Sequence, residues 1–180
     1  MDPFDRLGLP RRPLLYNEEI GTAYRKLAGE HHPDQNGGEA FQFKELGEAQ
    51  MILLDPAKRL RALSGIASSG SLPPAAAAYF PAIATLIQQA DSLLEKRSLA
   101  SNDLGRALLA APLKMLARDL EAICSQLDDW LAQLNQELVL LDSQWPRHDP
   151  VTLNLLADSF SYASRWQNQL RERKLALDSL

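Results

Sequence analysis

The chain has 180 residues, with 19 Lys and Arg, 23 Asp and Glu, and a formal net charge of −4. This small negative excess gives no general attraction to nucleic acid or to an anionic membrane. Cys124 is the single cysteine, which excludes an internal disulfide and a multi-cysteine zinc site. The N-terminal sequence MDPFDRLGLP has no signal-peptide pattern, and no apolar run approaches about 18 residues, so we expect a cytoplasmic protein without a membrane span.

The first 63 residues have the pattern of several short helices. A helix over residues 4–7 is predicted to end at Gly8. A second helix is predicted to begin at Asn17, a good N-cap, and the two glutamates that follow place negative charge near the positive end of the helix dipole. Its inward stripe recurs at three- and four-residue steps and consists of Ile20, Ala23, Tyr24, Leu27 and His31.

Pro33 is predicted to stop this second helix, because proline lacks an N–H and disfavours the α conformation in the residue before it. A loop that contains Asn36 and two glycines follows. A third helix is predicted over residues 39–54. Asp55 is the predicted N-cap of a fourth helix, with Pro56 at its first position. The residues of the third helix that are predicted to face inward are Phe43, Leu46, Ala49, Ile52 and Leu53.

Residues 64–74, SGIASSGSLPP, have the composition of a linker. Beyond it, helices are predicted over 75–96, 102–144 and 149–177, and the short turn after Trp145-Pro146 requires the last two to be antiparallel neighbours. We find no strand-like alternation and no Gly-rich phosphate loop, so no cofactor is expected. The prediction is an all-α protein in which residues 75–180 form an antiparallel three-helix bundle.

The helix over 102–144 has a leucine seam, with apolar residues at steps of three and four for about four heptads. Such a seam forms either the core of a bundle within one chain or an interface between two chains. The predicted seam residues are Leu113, Leu116, Leu120, Ile123, Leu127, Leu131 or Trp130, Leu134, Leu138 and Leu141.

The tripeptide His32-Pro33-Asp34 has three interpretations from the residues alone. It can be a helix stop with polar neighbours. It can be part of a metal site, but the adjacent His31 and His32 point about 100° apart on a helix, and ligands spaced by three or four residues would be needed. It can be an acid–base pair of His32 and Asp34, although the sequence shows no nucleophile or oxyanion donor beside them. We therefore expect neither a metal nor a catalytic residue.

The surroundings of this tripeptide resemble the J-domain of DnaJ-type co-chaperones. The resemblance covers residues 2–63 and is carried, in order, by DPFDRLGLP, EEIGTAYRKLAGEHHPDQN and FKELGEAQMILLDPAKR. It implies an antiparallel helix hairpin with short helices at either end. It also implies that His32, Pro33 and Asp34 engage a DnaK-type chaperone and stimulate its ATP hydrolysis, while no chemistry takes place on the J-domain itself.

The same resemblance implies further partner contacts at Tyr24, Arg25, Lys26 and Asn36, although Tyr24 is equally suited to the core. The basic face is sparser than is usual in the family, and Arg11 and Arg12 would extend it. Fewer favourable charges would make the encounter with an acidic partner slower and weaker.

A J-domain followed by a helical segment, in about 180 residues, is similar to HscB, the iron–sulfur cluster co-chaperone. The similarity implies a protein client, an iron–sulfur scaffold protein, bound by the C-terminal helices. The loop after Asp34 is shorter than in HscB, and residues 79–96 are alanine-rich where HscB is acidic. We predict a client surface around Tyr79, Phe80 and Ile87. The alternative is a helical scaffold that self-associates through its leucine seam and localises a chaperone.

Overall fold

The computed structural model describes residues 2–31, 40–68, 70–147 and 149–179. Within these ranges the regular structure is helical and contains no strand, so the predicted all-α class is confirmed. A search of the same ranges finds no helix whose length and apolar content would allow it to cross a membrane. The helices are α1 (Pro3–Leu7), α2 (Asn17–Glu30), α3 (Ala40–Leu54), α4 (Pro56–Ser64), α5 (Pro74–Ala77), α6 (Phe80–Leu99), α7 (Asp103–Ser143) and α8 (Pro150–Asp178).

The chain divides into two compact units. The first unit consists of Met1–Ser71 with Leu134–Phe160, and the second consists of Leu72–Gln133 with Ser161–Leu180. The first unit therefore contains the whole of the predicted J-domain together with the end of α7 and the start of α8. Independent folding of residues 75–180 stays a prediction.

The ends of the short helices follow the sequence signals. The Asp2 side chain accepts a hydrogen bond from the N–H of Phe4 at 2.9 Å, and α1 ends at Gly8, whose φ of 62° lies in the left-handed region. Asp55 caps α4 as predicted and accepts from the N–H groups of the second and third residues of that helix at 2.9 and 3.2 Å. The predicted N-cap Asn17 is wrong by one position, because it already lies in the first turn of α2 and the cap position is Tyr16.

The core of the first unit is built where α3 packs against α1 and α2. The apolar spacing of α2 and α3 places one side of each helix inward, and the half-buried Ala23, Tyr24 and Leu27 of α2 pack against the fully buried residues. The core residues are Phe4, Leu7, Leu15, Ile20, Leu46, Ala49 and Leu53.

The predicted single helix over 75–96 is wrong, because the structure has two helices, α5 and α6, with a break at Ala78 and Tyr79. Pro81 lies in the first turn of α6. Proline is favoured at the first positions of a helix, because it lacks an N–H and its fixed φ suits the first turn, so Pro81 favours the start of a new helix here.

The leucine seam of α7 is buried within a single chain. Trp130, and not Leu131, occupies the position for which the sequence offered both residues. Because these side chains are already covered, the seam is not available as an interface with a second chain. The seam residues that are at most 7% exposed are Leu116, Leu120, Ile123, Leu127, Trp130, Leu134, Leu138 and Leu141.

In the second unit, α7 and α8 run antiparallel. Glu121 accepts a hydrogen bond from Lys174 at 2.5 Å, and two turns further along α7 Asp128 accepts one from Gln167 at 2.5 Å. The N-cap residue of α6, Tyr79, contacts α7, because its ring stacks on that of Trp130 with centroids 5.0 Å apart.

Candidate functional site

The helices α2 and α3 flank the tripeptide on which the sequence prediction depends. His32, Pro33, Asp34 and Asn36 lie outside the described residues. On the described side of the loop, α2 ends at Glu30, and the N–H of His31 donates to the carbonyl oxygen of Leu27 at 3.1 Å. The structure therefore defines the helices that lead into and out of the tripeptide.

The three predicted contact residues on α2 differ in exposure. Tyr24 is half-buried and packs against the core cluster, so it holds α2 in place. Arg25 and Lys26 are exposed. The guanidinium of Arg25 donates through Nη2 to Oγ1 of Thr22, one turn earlier, at 3.1 Å. The exposed cations Arg25 and Lys26 can therefore meet an acidic partner, while Tyr24 contributes packing.

Acidic residues limit the positive potential of the α2 surface that carries Arg25 and Lys26. Glu18 and Glu19 in the first turn of α2 and Glu30 in its last turn are also exposed. The sparse basic face expected from the sequence is thus present on the folded helix. Its two cations lie in the half of α2 that leads to the loop.

A buried arginine joins α3, α4 and the segment before α2. Arg59 is 3% exposed; its Nε donates to the carbonyl oxygen of Pro13 at 2.7 Å and its Nη1 to that of Leu53 at 2.5 Å. Burial lowers the pKa of this guanidinium from its ordinary value, against the opposing effect of Asp55 and Asp142. Leu53 lies in the last turn of α3, where carbonyls lack partners within the helix, so Arg59 also caps that helix end.

The comparison with protein families identifies the region just described. The family model for the DnaJ domain matches residues 2–61. Residues 2–61 are a DnaJ domain. The match runs from α1 into α4 and includes the tripeptide His32-Pro33-Asp34, so the predicted J-domain is confirmed.

The curated relatives that match this region are named Chaperone protein DnaJ. The chain is 42% identical over 76 residues to Chaperone protein DnaJ of Deinococcus proteolyticus, which is 41% of this chain and 24% of that protein. It is 49% identical over 61 residues to Chaperone protein DnaJ of Caldicellulosiruptor saccharolyticus, which is 32% of this chain and 15% of that protein. The matched part of the chain therefore spans less than a quarter of the length of these relatives. No solved structure gives a significant match.

The DnaJ domain of this chain is tied to the last turn of α7 by an ion pair. Nε of Arg12 donates to Oδ1 of Asp142 at 3.0 Å, and Nη2 donates to Oδ2 of the same carboxylate. The N–H of Leu14 also donates to Oδ1 at 3.0 Å. The hydrogen bond from Arg12, with that from Leu14, lowers the pKa of Asp142 although burial opposes this effect.

A second carboxylate, on α8, binds the end of the DnaJ domain. Asp158 is 2% exposed, and its Oδ1 accepts from Nη2 of Arg61 at 2.8 Å and from Oγ of Ser68 at 2.7 Å. Neither Asp142 nor Asp158 was predicted from the sequence. Their sequence signal is an acidic residue among apolar neighbours in a helix, which does not identify a partner 130 or 97 positions away.

Arg11 and Arg12, which were expected from the sequence to extend the basic face, are both held in ion pairs. Arg12 is paired with Asp142, and Arg11 forms an ion pair with Asp2. Neither is therefore a free extension of the basic face of α2. Their charges are used to hold the segment between α1 and α2.

The predicted client residues lie in the second unit, with Tyr79 at the N-cap of α6 and Phe80 and Ile87 in the first half of that helix. Tyr79 is half-buried under its stack with Trp130, and Ile87 is half-buried on α6. Phe80 is 51% exposed, with its ring centroid 6.4 Å from that of Trp166. Phe80 therefore offers the largest apolar surface of the three.

Metal and thiol chemistry find little support in the described part of the chain. No group of three His, Cys, Asp or Glu side chains in these ranges is arranged to hold a metal ion. Cys124 is half-buried, and burial raises the pKa of its thiol. A raised pKa lowers the thiolate fraction, so this cysteine is a weak nucleophile.

Proposed function

We propose that this chain is a co-chaperone that stimulates ATP hydrolysis by a DnaK-type chaperone and has no enzymatic activity of its own. The observation that carries the proposal is the DnaJ-domain match over residues 2–61, with His32, Pro33 and Asp34 in place. The resemblance to DnaJ-type co-chaperones implies that this tripeptide engages the ATPase.

The chemistry of the tripeptide suits a contact with a cationic partner. The Asp34 carboxylate accepts a charge-assisted hydrogen bond from an arginine of the chaperone, which is among the stronger polar contacts in proteins. Pro33 restricts the backbone of the loop, which lowers the conformational entropy lost on binding. His32 is assigned to the same contact by the family resemblance.

The exposed cations of α2 support the same partner. Arg25 and Lys26 face solvent on the helix that leads into the tripeptide, where they attract an acidic surface and raise the rate of encounter. Tyr24 contributes by fixing α2 on the core. Asn36 is assigned to the contact by the family resemblance.

The experiment is a steady-state ATPase assay of a DnaK-type chaperone with and without the full chain. The wild type should accelerate hydrolysis and should hydrolyse no ATP alone. His32→Gln and Asp34→Asn should each abolish the acceleration. Circular dichroism provides the control, since both variants should keep the helical signal; acceleration by the Asp34→Asn variant at the wild-type level would refute the role of the tripeptide.

The second part of the proposal is delivery of a protein client by the C-terminal helices. The support is the HscB-like layout, a DnaJ domain followed by a helical segment, and the exposed ring of Phe80. The relatives named above are DnaJ chaperones matched over 61 to 76 residues, so the iron–sulfur scaffold as client depends on this layout alone. A cytoplasmic location stays a prediction from the sequence.

The client proposal has its own test. Binding of a purified iron–sulfur scaffold protein to the full chain is measured by calorimetry with the wild type, Phe80→Asp and Val139→Asp. The two sites are 51% and 50% exposed, so the second variant is a matched control. Binding that is lost in Phe80→Asp and kept in Val139→Asp supports the client surface. Absence of binding to the wild type would refute the iron–sulfur assignment and leave the co-chaperone proposal intact.

A further inference from the structure

The first half of α7 has an exposed apolar strip on its outer side. Leu104, Leu108 and Met115 are 71%, 70% and 66% exposed, and Ala111 between them is also exposed. These four residues, here called the outer strip, follow one another at steps of four, three and four, so they lie on one side of the helix. The strip lies wholly in the second unit.

A different side of α7 faces inward from the middle of the helix, and Leu109 and Leu113 before it are half-buried. Leu116 is 3% exposed and Leu120 is fully buried. The first half of α7 is thus apolar on two sides, whereas further along the outer side carries exposed polar residues such as Gln126, Asp129 and Gln133. A helix with two apolar sides is normally covered on both, and an exposed apolar strip on a surface marks an interaction site.

We propose that the outer strip packs against the outer strip of a second copy of this chain, with the two α7 helices antiparallel about a two-fold axis. In this register Leu104 lies opposite Met115 of the partner subunit, and Leu108 lies opposite Ala111 of the partner subunit. A two-fold interface uses the same patch on both chains, so each contact occurs twice. The small side chain of Ala111 leaves room for the opposing leucine.

The charges beside the strip determine the partner and the direction. Asp103 and Lys114 lie 11 residues apart, which is about three helical turns, so they are on the same flank of α7. Antiparallel pairing brings Asp103 near Lys114 of the partner subunit, and the symmetry repeats this pair. Parallel pairing would instead bring each charge near its own copy. The flank is therefore complementary to itself in the antiparallel direction alone.

Both charges are exposed and therefore accessible to a second chain. In the described part of the chain Asp103 forms an ion pair with Arg106 at 3.9 Å, and the Asp103 side chain is fully exposed. An exposed pair at this distance contributes little to stability, so it does not compete strongly with a contact between chains. The strip is about 16 Å long at 1.5 Å per residue, which predicts a modest and concentration-dependent interface.

The test is sedimentation equilibrium of the full chain over a concentration range of about 1 to 200 µM, the range in which small interfaces dissociate. The wild type should approach the mass of two chains at the upper end. Leu108→Glu should keep the mass of one chain throughout. Leu140→Glu is the matched control, since Leu140 is 63% exposed on the same helix but outside the strip, and it should behave as the wild type.

A charge exchange tests the register without removing apolar surface. Asp103→Lys and Lys114→Asp should each shift dimerisation to higher concentration, because like charges then meet across the axis. The double variant should restore the wild-type behaviour. The proposal is overturned if the wild type stays at one chain, if its mass rises past two chains without a plateau, if Leu108→Glu still dimerises, or if the double exchange does not restore association.

Discussion

Arg12 and Asp142 are 130 positions apart in the chain and form a two-point ion pair between the α1–α2 segment and the last turn of α7. The Asp142 side chain is 6% exposed, whereas that of Arg12 is 47% exposed. The N–H of Leu14 adds a third hydrogen bond to the same carboxylate. The DnaJ domain is thereby joined to α7 within the first unit.

Replacement of Asp142 by Asn should destabilise the protein. The amide keeps an acceptor for Leu14 but loses the charge-assisted bonds from Arg12, so we expect a loss of about 1.5 to 3 kcal/mol in the free energy of unfolding. The measurement is urea unfolding followed by circular dichroism. Asp129→Asn, at an exposed position on the same helix, should change the free energy by less than about 0.5 kcal/mol. Equal effects of the two changes would contradict the role given to the ion pair.

Acid should remove the same contribution. The hydrogen bond from Arg12 lowers the pKa of Asp142 in the folded state, so the carboxylate stabilises the fold at every pH above the ordinary carboxyl value of about 3.9. As the pH falls below that value and through the folded-state pKa, the contribution is lost. The difference in unfolding free energy between wild type and Asp142→Asn should be constant from about pH 5 to 7 and should shrink below about pH 4. A difference that does not change between neutral and acidic pH would exclude ionised Asp142 as its source.

Replacement of Arg59 by Met should destabilise the DnaJ domain more than replacement of its neighbour. The change removes the donors to the carbonyl oxygens of Pro13 and Leu53, and we expect a loss of about 2 kcal/mol or more. Lys58→Met is the control, because Lys58 lies on the same helix with its side chain 52% exposed. Thermal unfolding of both variants measures the effect. A smaller shift in Tm for Arg59→Met than for Lys58→Met would contradict the hydrogen-bonding role.

Reversal of the two cations of α2 should weaken coupling to the chaperone ATPase. The double change Arg25→Glu and Lys26→Glu turns an attractive face into a repulsive one, so the concentration of this protein needed for half-maximal stimulation should rise by about threefold or more. Lys44→Glu on α3, an exposed cation outside the face, is the control. Raised salt should weaken the wild type in the same assay. Stimulation that is independent of salt would show that apolar contacts carry the binding.

The sequence determined the helical elements because their signals are local. The residue pattern at Asp55-Pro56 predicts the start of α4, and the spacing from Leu116 to Leu141 predicts a buried face of α7; the structure has both. Periodicity and capping depend on residues within a few positions of one another, so one chain suffices to recognise them. The ordered motifs of residues 2–61 likewise identified the DnaJ domain.

Only the tertiary structure decided what the seam and the isolated charges do. A buried seam within one chain and a seam between two chains have the same pattern, and the choice depends on which helices cover α7. The partners of Asp142 and Asp158 lie 130 and 97 positions away, and no local rule links such residues.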